Sequence, residues 1–232
     1  MEHVVAVLFA LGFPAATAPS YSSRRAAILA GDRELKKTEY RQTIAWLSAM
    51  GVASVLFFIA TGRDLALLGV VWPNSLRGAA SVGLAAAGSA LLWIQVRAVR
   101  TDAATRAAAR EALRDVREYF PSGSEERHLF RGVSFAAGIG EELFYRGFLF
   151  WYFAEWLPLW AIVVVTSLLF GLAHIMHGTK AMARSTWMGF VLAGLYVLGE
   201  SLVAPMILHV AVDLTSGETG ASAFGDDPPV TI

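Results

Sequence analysis

The sequence contains no cysteine. That excludes disulfide staples, thiolate nucleophiles and cysteine-ligated metal. Charge is also scarce: Asp, Glu, Lys and Arg make up 16% of the 232 residues, against roughly a quarter in an ordinary soluble domain. The formal net charge is zero, so no overall basic excess points to nucleic acid. A signal peptide is not evident either. The first apolar stretch follows Glu2 and His3 rather than Lys or Arg, and Ala16-Thr17-Ala18 runs directly into Pro19. What is abundant is apolar: 56% of the residues are hydrophobic, with a mean hydropathy of +0.52. This composition predicts an all-α, polytopic transmembrane helix bundle.

Apolar windows fall near residues 4–19, 43–61, 76–96, 132–153, 158–177, 186–199 and 201–215, which predicts about seven helical segments. A spanning helix needs about 20 residues for a ~30 Å hydrocarbon core. The last two windows are short by that measure, so a tilt or a re-entrant turn near residues 199–205 is expected. The first window is expected to break near Pro14. Basic residues concentrate in three connections: 20–42, 97–131 and the one holding Lys180 and Arg184. Two windows separate each from the next, so all three fit one side of the membrane. By the positive-inside bias that side is cytoplasmic, with the N-terminus outside and the C-terminus inside. Residues 101–119 read as an amphipathic cytoplasmic helix, with Arg114 and Glu118 spaced for an i,i+4 pair. Its arginines suit a solvated face, or a site for anionic lipid or a partner. Residues 216–232, rich in Gly, Asp and Pro, read as a disordered tail. Three regions follow: N-terminal helices with basic loops over 1–130, a core over 131–215, and the tail over 216–232.

Charge buried in apolar windows is costly, about 2.5–3.5 kcal/mol per group at a helix centre, and marks function by default. Glu141, Glu142 and Arg146 lie within one such run, 133–153. Glu142 and Arg146 are four apart with the acid first, the favourable order for a pair along one helix face. Glu141 is turned by about 100° from its neighbour, which leaves it to face a cavity as a general base. Tyr145, four residues after Glu141, is placed to hydrogen-bond it. His174 closes the fifth window, with Phe170 one turn before it. His177 lies where the helix leaves membrane depth and reads as interfacial. His209 and Asp213 share a face of the last window, and that spacing favours Asp213 as the group that orients the imidazole. Convergence of these groups in the bundle interior lets each find a polar partner.

In order, Glu141-Glu142-Leu-Phe-Tyr-Arg146, Phe170-Gly-Leu-Ala-His174 and His209-Val-Ala-Val-Asp213 resemble the signature of the CPBP family of intramembrane glutamic endopeptidases. The family is also called the ABI or type II CAAX prenyl endopeptidase family. The resemblance covers roughly residues 130–215. It implies a helix bundle around a conical cavity and peptide hydrolysis with no required metal or other cofactor. It implies that Glu141 and His174 activate a water, that His209 and residue 213 stabilise the oxyanion, and that Glu142 and Arg146 support the site. An ionised aspartate cannot donate to an oxyanion, so Asp213 must either be kept protonated or serve to orient His209.

Three other readings compete. One Glu and two His suit a three-ligand metal hydrolase, although no His-Glu-x-x-His pairing is present. A membrane scaffold or immunity protein would retain the buried charges as structure. A transporter would use them as a proton relay, but the repeated halves common in transporters are not evident. The expected partners are membrane lipid and a membrane-associated protein or peptide substrate. Short loops and the absence of targeting signals point to a prokaryotic plasma membrane.

Overall fold

The computed structural model describes residues 2–224, and for residue 11 and residues 13–19 the backbone alone. Among the described residues the regular structure is entirely helical, with no strand. The chain is an integral membrane protein with an all-α bundle fold.

Helix α1 (Glu2–Val7) passes through a π turn (Leu8–Gly12) into α2 (Phe13–Leu29). The expected break at Pro14 does not occur. The proline lies just after the wider π turn, and the helical run continues through it. Much of the expected loop 20–42 is therefore helical. Helix α3 (Arg33–Ala60) opens at Asp32, whose side chain accepts from the Leu35 N–H at 2.9 Å. Helix α4 (Leu76–Thr101) opens at Ser75 in the same way, and α5 (Ala103–Leu113) opens at Asp102. A 3₁₀ segment (Arg114–Tyr119) leads to α6 (Ser124–Glu142). A second π turn (Leu143–Phe148) joins α6 to α7 (Leu149–Phe153). Helix α8 (Leu159–Leu172), a 3₁₀ turn (Ile175–His177), α9 (Thr179–Gly199) and α10 (Val203–Phe224) complete the order.

The last two helices are longer than their apolar windows. Polar residues at their ends continue the helices beyond the apolar stretch, so no re-entrant turn is needed. They are joined by a tight turn in which Glu200 takes a left-handed φ of 52°. That turn is pinned to the loop after α3: the Leu202 N–H donates to the Gly69 carbonyl and Ser201 Oγ to the Val71 carbonyl. Helix α10 also runs through the first part of the expected disordered tail, to Phe224. Close packing of Gly217 on Phe130 and of Gly220 on Phe120 holds it there. The rest of that tail, residues 225–232, lies outside the described residues.

Helices α3, α4 and α9 are each long and apolar enough to cross a membrane. Many apolar side chains on the bundle's outer surface are exposed, among them Val52, Leu56, Leu84, Leu91, Ile94 and Leu168. In water such a surface would be a liability; against lipid tails it is the required one.

The two ends of the bundle differ in chemistry. At one end the three basic connections touch one another: Arg25 pairs with Glu118, Arg33 with Glu126 at 2.7 Å, and Lys180 approaches Asp115 at 4.0 Å. Glu118 thus goes to Arg25, whereas Arg114 pairs with Glu111 at 3.2 Å rather than with Glu118 as its spacing suggested. The segment unwinds into a 3₁₀ helix at Arg114, which breaks the α-helical i,i+4 register. At the other end His3 bonds Tyr152, Arg63 lies over Trp151, and Arg77 approaches Glu200. Among the described residues seven helical runs pass between these ends, with α1–α2 and α6–α7 counting as one run each.

Candidate active site

The site is built where α6 meets α3 and α10 at very short range. Glycines make this possible. A Cβ on Gly140 would collide with the Leu47 carbonyl, one on Gly51 would lie 2.9 Å from the Gly140 Cα, and one on Gly138 would lie 2.8 Å from the Val210 backbone N. The last turn of α6 therefore sits deep in the bundle, with Glu141 9% exposed and Glu142 fully buried. Directly after Glu142 the helix widens into the π turn. Such turns carry one extra residue and often occur at functional sites.

Glu142 is the centre of the network. Its Oε1 accepts from Arg146 Nη1 at 2.8 Å and from His209 Nδ1 at 2.8 Å. Arg146 is fully buried and also donates from Nη2 to the Gly189 carbonyl on α9, at 2.9 Å. Its guanidinium lies 4.7 Å from the centre of the Phe170 ring, a cation–π contact. One arginine thus ties α6, α8 and α9 together. Glu142 Oε2 and Arg146 Nε are buried with no hydrogen-bond partner among the described residues.

His209, 4% exposed on α10, presents its other nitrogen to the cavity. Nε2 lies 3.5 Å from Glu141 Oε2 and 3.9 Å from Asp213 Oδ2. Glu142 thus bonds the imidazole at Nδ1, and Asp213, expected from its spacing to orient the ring, stands on the Nε2 side. The i,i+4 spacing places Asp213 near the ring, but the bonded partner comes from another helix.

His174 is held in a parallel manner. Its Nδ1 lies 2.9 Å from the Phe170 carbonyl. A carbonyl oxygen only accepts, so Nδ1 carries the proton, and in the neutral imidazole Nε2 keeps a free lone pair. The Phe170 ring packs 5.2 Å from the His174 ring and 5.6 Å, edge-on, from the His209 ring. It spaces the two imidazoles. His174 and Asp213 are only half-buried, so the cluster opens on their side. Both lie toward the basic end of the bundle. Asp213 interacts electrostatically with His209, Glu141 and His174.

Tyr145 makes no hydrogen bond to Glu141 among the described residues. The pair straddles the change from α to π geometry, and Tyr145 instead packs edge-on against Phe170 at 5.2 Å. His177 lies outside the cluster, at the basic end. Its ring meets Tyr119 at 4.6 Å, and the Tyr119 hydroxyl contacts that of Tyr21. The sequence reading missed Gly189, whose contribution is a backbone carbonyl. A glycine in an apolar helix carries no mark of that role. Among the described residues no three His, Asp or Glu side chains are disposed as a metal-ligand set.

The cluster can therefore offer two carboxylates and two imidazole Nε2 atoms to one partly open cavity, with a neutralised Glu–Arg pair behind them. Residues 127–215, which hold all of these groups, match the family model described as type II CAAX prenyl endopeptidase Rce1-like. No curated protein and no solved structure matches the chain.

Proposed function

We propose, from the match of residues 127–215 to the type II CAAX prenyl endopeptidase Rce1-like family model, that the chain hydrolyses peptide bonds of a membrane-associated substrate inside the bilayer. The observation that carries this reading is the pair of imidazoles, each tied at Nδ1 and turned so that Nε2 meets the cavity, on either side of Phe170 and beside Glu141. Glu141 takes a proton from a water, with His174 Nε2 accepting the water's second hydrogen bond. The water oxygen attacks the scissile carbonyl. Protonated His209 donates from Nε2 to the oxyanion, with Glu142 bonded at its far side, and Asp213 lines the same pocket. Glu141 then passes its proton to the leaving amine, which closes the cycle. Glu142 and Arg146 position His209 and do not touch the substrate. The basic end faces the cytoplasm under the positive-inside bias, so the substrate enters from that side.

Comparative membrane proteomics of wild type against Glu141→Gln tests this. Peptides cut only in the presence of the wild type are expected. Normal cleavage by Glu141→Gln in a folded protein would sink the mechanism. Repeating the purified reaction in strong chelator decides against a metal-dependent route if cleavage persists, and for one if it stops.

A further inference from the structure

The connection between α3 and α4 carries no charge over residues 65–76, where Asn74 and Ser75 are the polar side chains. A loop of that length in water would hold about three charged residues. Its apolar side chains divide by burial. Leu68 is fully buried and reaches the π turn that follows Glu142: a Cβ on Gly147 would lie 2.8 Å from the Leu68 carbonyl. Leu67, Val70, Trp72 and Leu76 are exposed instead, Trp72 by 79% and Leu76 by 88%. The backbone beneath them is paired within the protein. The Asp64 side chain accepts from the Ala66 N–H at 2.9 Å. The Gly69 N–H donates to the Ala66 carbonyl at 3.0 Å, and the Val70 N–H to the Leu65 carbonyl at 3.2 Å. The Gly69 and Val71 carbonyls are taken by the Leu202 N–H and by Ser201 Oγ. Backbone paired in this way can enter a layer poor in water, which unpaired loop backbone cannot.

The exposed face also continues the outer surface that meets lipid. Leu56 and Ile59 precede it on α3 and Leu84 follows it on α4, all three exposed. Tryptophans mark its level in the membrane. Trp156, in the turn between α7 and α8, and Trp160, in the first turn of α8, are exposed at the same end of the bundle. Tryptophan collects where acyl chains meet headgroups. Charge resumes on either side of the segment, at Arg63 and Asp64 before it and at Arg77 after it, where long side chains can reach the headgroup layer. We infer that residues 65–76 form an interfacial anchor, whose exposed face lies in the boundary between phospholipid headgroups and acyl chains in the leaflet opposite the basic end. The partner is the lipid surface itself, and the anchor is independent of the proteolytic reading.

The absence of cysteine permits a direct test. Val70→Cys and Trp72→Cys are each labelled with a nitroxide in the full chain, in phosphatidylcholine nanodiscs. Electron paramagnetic resonance then reads how often the label collides with oxygen, which partitions into lipid, and with a water-soluble nickel chelate. Lys180→Cys is the water reference and Leu84→Cys the lipid reference, both at exposed positions. A face set about 5–10 Å into the headgroup–acyl boundary should raise the oxygen-to-nickel ratio about threefold above the Lys180 position and leave it below the Leu84 position. Leu67→Cys reads the same face if either variant fails to fold. A ratio equal to that at Lys180 would place the segment in water and overturn the anchor. A ratio equal to that at Leu84 would sink it into the acyl core and overturn the interfacial placement. Labels shielded from both oxygen and nickel would mean that a second copy or another protein covers the face, and the lipid assignment would fail.

Discussion

At the scale of single residues, the two adjacent glutamates do different work because they stand on different sides of one helix turn. Glu142 is committed to Arg146 and His209, whereas the polar contact of Glu141 among the described residues is the 3.5 Å approach of His209 Nε2. Removing their charges should therefore have opposite signatures. Glu142→Gln leaves the fully buried Arg146 without its counter-charge, and breaking a buried pair typically costs about 3–5 kcal/mol. Thermal unfolding of the detergent-solubilised variant should shift down by many degrees, with lower yield of folded protein. Glu141→Gln removes a less committed carboxylate and should unfold near the wild-type temperature while losing cleavage. If Glu142→Gln proved as stable as wild type, the bracing role would be wrong. The i,i+4 spacing made the Glu142–Arg146 pair legible in the sequence. The partner of His209 was not, because helical spacing reveals neighbours along one helix, and Glu142 reaches across from another.

At the scale of elements, the site depends on how closely α6 can approach α3 and α10. The positions that permit it carry no side chain. The sequence shows glycines at Gly138, Gly140, Gly189 and Gly194 with nothing to rank them, since each lies in an apolar helix. Contact separates them. A Cβ on Gly140 meets the Leu47 backbone, which cannot move aside without displacing α3. One on Gly189 meets the Ser167 backbone at 3.0 Å. One on Gly194 meets nothing within 4 Å. Overpacking of this kind costs about 1–3 kcal/mol or more, whereas Gly→Ala in an open helix interior gains roughly 0.5–1 kcal/mol. Gly140→Ala should thus lower the unfolding temperature and abolish cleavage, and Gly194→Ala should leave both unchanged or raise the first slightly. Unfolding curves and cleavage rates for the two variants, measured side by side, check the ranking. The π turn at Leu143–Phe148 was equally invisible in the sequence. Its six residues have no distinctive pattern, yet it turns Tyr145 away from Glu141 and onto Phe170.

At the scale of the whole molecule, hydropathy made the all-α bundle legible, because lipid imposes long apolar runs. The contacts that tie the N-terminal helices to the core were not legible, since they join charged residues far apart in the chain. Glu126 is the chief one. It precedes the apolar run of the catalytic helix and is 1% exposed, and it accepts from Arg33 at 2.7 Å and from the Ser122 N–H at 2.8 Å. Lys36 stands 3.1 Å away and donates to the Phe120 carbonyl at 2.5 Å. This clasp locks the start of α3 to the start of α6. Burial pulls the Glu126 carboxyl upward, but the Ser122 N–H and the two cations outweigh it and hold it below the usual carboxylate range. A depressed acid contributes stability that is fully present above its unfolded value, about 4.3, and is lost as pH falls through the lower folded value. Wild-type unfolding temperature should therefore stay flat, as far as this group governs it, from pH 7 to about pH 5, and fall below that. Glu126→Gln should be less stable at pH 7 by about 1–3 kcal/mol, the cost of leaving buried partners unsatisfied. Because protonation of the wild type removes the same charge, the two unfolding curves should converge as pH falls through the lowered folded value. A constant gap between them across the whole range would show that Glu126 acts by packing and not by charge.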